Sequence, residues 1–211
     1  MVTIGIRESL NNGLKFLLEN PVLILLGIIA NLPQLFVGAG EARLVAMFII
    51  GFFLNVYIIA LIVRFIYESK EARPVWTELS KFAIRKYALL FITYILFYIA
   101  TLIGLILLII PGFFLLIKLI FVDCGILIEN DGVIGSFKRS WAITKGNWWR
   151  LFILTVICYL PIFAILALGN FLPKTAQSIL SLLLNSFVFV WLQSVFTLVY
   201  LQLRRVNIPG N

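Results

Sequence analysis

The chain has no histidine, and only 12% of its 211 residues are charged. Histidine is the commonest general base near neutral pH and a frequent metal ligand, so its absence removes histidine-based triads and zinc motifs together. Acidic residues number nine, and no two of them pair inside an apolar run. Cys124 and Cys158 form no metal motif; both fall in apolar runs, where a cysteine acts as a small inert side chain. A P-loop and a G-x-S-x-G elbow are also missing. No enzymatic motif remains, and no cofactor or metal is implied.

What is present is apolar: 63% of the residues are aliphatic, aromatic or cysteine. A soluble domain has about half apolar and a quarter charged residues, so the balance excludes an ordinary water-soluble globule. A helix needs about 20 apolar residues to cross the roughly 30 Å hydrocarbon layer. Charge-free runs extend from Asn20 to Gly40, Leu44 to Val63, Tyr87 to Ile117, Leu151 to Pro173 and Thr175 to Leu203. The third continues to Ile128 with only Lys118 and Asp123 inside, a length of about 63 Å if helical, which is two membrane thicknesses. Pro111-Gly112 near its middle divides it into Tyr87 to Ile110 and Gly112 to Ile128. The expected architecture is therefore an all-α polytopic membrane protein with six transmembrane helices.

The basic residues agree with that count, because Lys and Arg beside spans are retained in the cytoplasm. Fourteen of the 17 share one face, two (Arg43 and Lys174) lie opposite, and Lys118 lies within a helix. Both termini are expected in the cytoplasm, in a multi-pass cell-membrane protein. The net charge of +8 is thereby a sidedness, which leaves no reason to invoke nucleic acid. The first apolar run is full length and lacks a small-residue cleavage site, so no cleavable signal peptide is expected.

Three basic segments have helical amphipathic spacing. Ile6, Leu10, Gly13, Leu14 and Leu17 share one face, as do Trp76, Leu79, Phe82 and Ala83, and Ile134, Phe137, Trp141 and Trp148. Each precedes a proposed hairpin of spans, giving three cytoplasmic-side interfacial helices. The single integral domain, 1–211, then divides into units 3–67, 75–128 and 132–205. Ser9 and Asn20 match Ser136 and Asn147 at an offset of 127, and Leu32-Pro33 matches Leu160-Pro161 at 128, which suggests a repeat of the first unit in the third. Pro33 and Pro161 are expected to kink their spans or to open a site near the midplane.

The stretch P-G-F-F-L-L-I-K-L-I-F-V-D from Pro111 to Asp123, with G-S-F-K-R-S-W-A-I-T-K-G-N-W-W-R from Gly135 to Arg150, resembles the membrane domain attached to some glycerophosphodiester phosphodiesterases and related multi-pass proteins of archaea and bacteria. The likeness is strongest from Pro111 to Leu154. It implies a membrane domain only, since the hydrolase of those proteins is a separate domain that relies on histidines and acidic metal ligands.

Two sets of residues stand out. Lys118 and Asp123 are the charges well inside the spans, where an unpaired charge costs several kcal/mol. Five residues apart, they point about 140° from each other and need partners on other helices. With Asn31, Asn55 and Asn185 they form a candidate intramembrane polar site; Gln34 and Gln193 carry further amides. Lys118 either snorkels or holds an anion, and Asp123 either serves structure or couples a proton or cation. The second set, Lys138, Arg139, Trp141, Lys145, Trp148, Trp149 and Arg150, has the composition of a membrane-surface anchor that meets anionic headgroups. The sequence therefore predicts a non-enzymatic membrane module that binds lipid or a protein partner. A small transporter or permease built around Lys118 and Asp123 is the alternative.

Overall fold

The computed structural model describes residues 4–36, 41–70, 73–169 and 173–207. The side chains of Gln34, Arg43 and Lys174 lie outside the described set. The protein is all-α and polytopic. Among the described residues four helices are long and apolar enough to cross a membrane, and up to six spans result if each of two sharply bent helix pairs counts as one.

The first bent pair is α1 (Ile6–Glu19) and α2 (Val22–Asn31), which meet at 96°. Asn20 and Pro21 cause the bend: proline cannot continue the backbone ladder of α1, and the Asn20 amide donates to the Phe16 carbonyl at 2.9 Å. A 3-10 turn, Leu32–Phe36, replaces the α-helix at Pro33. The second pair is α7 (Val133–Ile143) and α8 (Trp148–Gly169), bent by 101°. Here the turn contains Gly146 at φ 84°, a left-handed conformation suited to glycine. Asn147 stands at this corner as Asn20 does at the first, and each carbonyl accepts the N–H that starts the next helix, from Leu151 and Leu23 respectively, both at 3.0 Å. The matched asparagines thus occupy matching corners. Pro161, in contrast to Pro33, lies inside an unbroken α8.

The middle amphipathic segment differs from the other two. Residues 76–86 are not a separate interfacial helix but the first turns of α4 (Trp76–Leu107). No Gly, Pro or Asn stands between Lys81 and Leu90 to interrupt it, so the helix runs straight into the apolar run. Its first residue, Trp76, stacks on Phe65 of α3 (Glu41–Glu68) with ring centroids 5.2 Å apart.

The long third run also breaks elsewhere than Pro111-Gly112. The reversal is at Leu108, extended at φ −163°, and α5 (Ile109–Lys118) begins after it. Pro111 therefore falls in the first turn of α5, where its missing N–H costs nothing. A second interruption at residues 119–121 separates α5 from α6 (Val122–Leu127), so Gly112 to Ile128 is not one helix. Ser140 of α7 fills that gap: its hydroxyl donates to the Lys118 carbonyl at 2.8 Å and accepts from the Phe121 N–H at 3.1 Å. One buried side chain thus satisfies both backbone groups released by the break.

The long α9 (Lys174–Asn207) is the common support, packed against α1, α2, α3, α7 and α8. Gly27 allows α2 to approach closely, since a Cβ there would lie 2.6 Å from the Ser186 carbonyl oxygen. Along α9, Val195, Val199, Tyr200 and Leu203 are buried in the core. Exposed apolar side chains cover much of the outside of the bundle, and at the α4–α5 turn Ile110 is 81% exposed.

Two outcomes test this arrangement. Ser140→Ala leaves two buried backbone groups unpaired and is expected to cost about 2 kcal/mol, read as a lower unfolding temperature in detergent. No polar or charged residue separates Thr101 from Lys118, so the α4–α5 turn is expected to avoid water. A single cysteine at Ile109, with Cys124 and Cys158 replaced by alanine, should resist membrane-impermeant maleimide in intact vesicles yet react with a lipid-soluble one. Equal labelling by both reagents contradicts the placement.

Candidate functional site

A cavity of about 750 Å³ opens between the end of α2, the 3-10 turn, α3, α4, α8 and α9. Asn31, Asn55, Asn185 and Gln193 bring four amides to its otherwise largely apolar wall. Its mouth carries Phe48, Tyr98 and Tyr159, all exposed. Asn55 donates to its own helix at Gly51 (2.7 Å) and across to the Ala30 carbonyl (3.2 Å), which ties α3 to the end of α2. Asn31 is buried and donates to the Gly27 carbonyl at 2.9 Å, beside the point where the α-helix gives way to the 3-10 turn. Asn55 thus secures backbone beside Pro33, and both amides contribute to the polar wall of the cavity.

Gln193 connects the cavity to Asp123. Its amide nitrogen lies 3.5 Å from Asp123 Oδ2, which also accepts from the Tyr94 hydroxyl at 3.3 Å. Asp123 Oδ1 accepts the Cys124 N–H at 2.8 Å at the start of α6. The carboxylate, in a residue only 5% exposed, is therefore held by three donors from α4, α6 and α9. Such a set compensates the loss of hydration that burial imposes.

Lys118 turns elsewhere. Its ammonium lies 5.2 Å from the Trp141 ring centroid and 5.8 Å from that of Phe114, within cation–π range. The structure thus gathers Asn31, Asn55 and Asn185 around one cavity, places Asp123 behind it through Gln193, and seats Lys118 against the aromatic cluster of α7 and α5. The break at residues 119–121 lies between the two charges, and they share no partner among the described contacts.

The basic-aromatic set also divides. Lys138, Lys145 and Trp149 face outward. Arg139 instead makes a bidentate ion pair with Asp131, and Arg150 donates to the Ile4 carbonyl at 2.9 Å, pinning the start of the chain to α8. Trp148 stacks on Phe152 at 5.4 Å and donates to the Phe114 carbonyl at 3.4 Å, while Trp141 covers Lys118.

Two acids escaped the sequence reading. Glu129 accepts from Tyr200 at 2.9 Å and pairs with Arg204 at 2.8 Å, and Asp131 holds Arg139. A signal was available: no Asp or Glu follows Asp131, so Arg139 and Arg204 had to draw on Asp131 or acids before it, or remain unpaired. Tyr94 lay unnoticed in an apolar run, because only the fold brings it to Asp123. For Arg139→Gln we expect a loss of about 1–2 kcal/mol in detergent stability, since it strands a half-buried carboxylate. Lys138→Gln, at an exposed position, is expected to leave stability unchanged.

Neither a curated protein nor a solved structure matches the chain. A family profile does, over residues 30–204, which takes in every residue lining the cavity and leaves out α1 and most of α2. The chain belongs to the family described as Domain of unknown function (DUF7847).

Proposed function

We propose that the protein is a non-enzymatic membrane module that binds a lipid or similar amphiphile in the amide-lined cavity. The cavity itself carries this conclusion: its volume is in the range of small-molecule sites, its wall is mainly apolar, and a few amides converge on it. Amides suit a neutral hydrogen-bonding headgroup such as a hydroxyl, ester or amide, because they donate and accept without charge. The exposed Phe48, Tyr98 and Tyr159 at the mouth let an apolar chain enter from the bilayer side. Lys138, Lys145 and Trp149 act in this scheme as surface anchors to anionic headgroups of the cytoplasmic leaflet, with both termini on that side. On this reading the resemblance of residues 111–154 to the membrane domain attached to some glycerophosphodiester phosphodiesterases is a kinship of the membrane part alone.

One contact favours a second reading, a small transporter: Gln193 joins the cavity to the buried carboxylate of Asp123, a group that could carry a proton or cation. Transport requires access from both sides, whereas a binding module needs only the lateral mouth.

Gly51→Phe separates binding from folding. A Cβ at this position meets only Pro33 at 3.7 Å, so an aromatic ring can fill the cavity without forcing backbone apart. The wild-type protein, extracted in mild detergent, is expected to show a retained lipid-sized adduct by native mass spectrometry. Gly51→Phe should lose the adduct while unfolding at a similar temperature. An adduct unchanged by the substitution places the bound molecule elsewhere.

A further inference from the structure

A second concavity, of about 370 Å³, lies between α1 and α9 and shares no residue with the cavity above. Ser9, Asn12, Lys15, Lys70, Gln202 and Arg205 supply its polar lining, and Leu198, Val199 and Leu201 its apolar floor. Glu19 also lines it and lies 3.9 Å from Lys15, so these two charges offset one another and leave Lys70 and Arg205 as the groove's net positive charge. The Lys70 ammonium rests 5.6 Å from the Phe16 ring centroid at the groove wall.

Position adds to composition. Arg205 is the last residue of one apolar span, Ala176–Arg205, and Lys70 stands two residues beyond the end of another, Val45–Glu68. The two cations therefore mark the level at which hydrocarbon gives way to headgroups. Ser9 also borders the groove, but the residue is only 3% exposed and its hydroxyl is enclosed, so the groove presents its cations rather than this side chain. Nearby on α1, Leu18 is 65% exposed, as expected of a helix whose outer side meets acyl chains.

We propose that this groove binds the phosphate of an anionic phospholipid on the basic side of the membrane. Lys70 and Arg205 provide the ionic contacts, and the apolar floor receives the start of an acyl chain. Charge-assisted contacts to phosphate are stronger than neutral ones, and guanidinium matches two phosphate oxygens at once. The site is independent of the amide-lined cavity.

The unfolding temperature of the full-length protein in neutral detergent reads this binding when short-chain phosphatidylglycerol, short-chain phosphatidylcholine or inorganic phosphate is added. Phosphatidylglycerol is expected to raise the midpoint clearly, and the other two hardly at all. The double variant Lys70→Gln/Arg205→Gln should need about tenfold more phosphatidylglycerol for the same rise. Gly51→Phe should respond as the wild type, which separates this site from the cavity. Equal stabilisation of wild type and double variant overturns the proposal. A rise with inorganic phosphate equal to that with phosphatidylglycerol assigns the groove to a free phosphate compound and overturns its assignment to lipid.

Discussion

Hydrocarbon offers no hydrogen bonds, so the backbone groups that this chain carries into the bilayer must find their partners within the protein. The interrupted third run shows the consequence most clearly. Where the helix breaks at residues 119–121, the Lys118 carbonyl and the Phe121 N–H lose their helical partners, and the Ser140 hydroxyl replaces both. Asn55 does comparable work between α3 and α2, where Pro33 has ended the regular helix. Asp123 draws donors from α4, α6 and α9, and Lys118 settles against aromatic faces. Polar residues are thus few but structurally decisive, since each joins elements that apolar contact alone would hold less specifically.

The same constraint shapes the two concavities. With α9 as the common support, α2, α3 and α8 pack against it. Asn31, Asn55 and Asn185 line the space among these elements, with Tyr98 of α4 at the mouth. At the basic end, α1 lies across α9 because Asn20 and Pro21 turn it sharply away from α2. The groove between α1 and α9 therefore exists only because of that corner. One bundle so presents an uncharged polar interior and a cationic rim, two chemistries suited to different parts of an amphiphile.

Much of this was legible in composition and spacing. The length of the charge-free runs anticipates helices that cross the membrane, and the matched Asn20 and Asn147 foreshadow two corners of similar angle. Local signals were less informative where tertiary contact decides. Pro111 looks like a breaker in sequence, yet the turn lies at Leu108, because proline is well tolerated in the first turn of a helix. The break after Lys118 has no Gly or Pro to announce it; its stability comes from Ser140, 22 residues on. Amphipathic spacing in residues 76–86 is shared by a surface helix and by the emergent end of a span, so it could not tell them apart. The amides were recognised as polar groups within spans, but their convergence on one cavity depends on how α2, α3 and α9 cross.

The central claim is that the amides of Asn31, Asn55, Asn185 and Gln193 face a bound amphiphile. An electron cryomicroscopy map of the protein in lipid nanodiscs, with a binding partner to add size, tests it most directly. The account predicts continuous elongated density inside the cavity, with its polar end within hydrogen-bonding distance of these amides and its tail leaving past Tyr98 and Tyr159. A cavity closed by side-chain packing, or filled only by isolated water peaks, would contradict it.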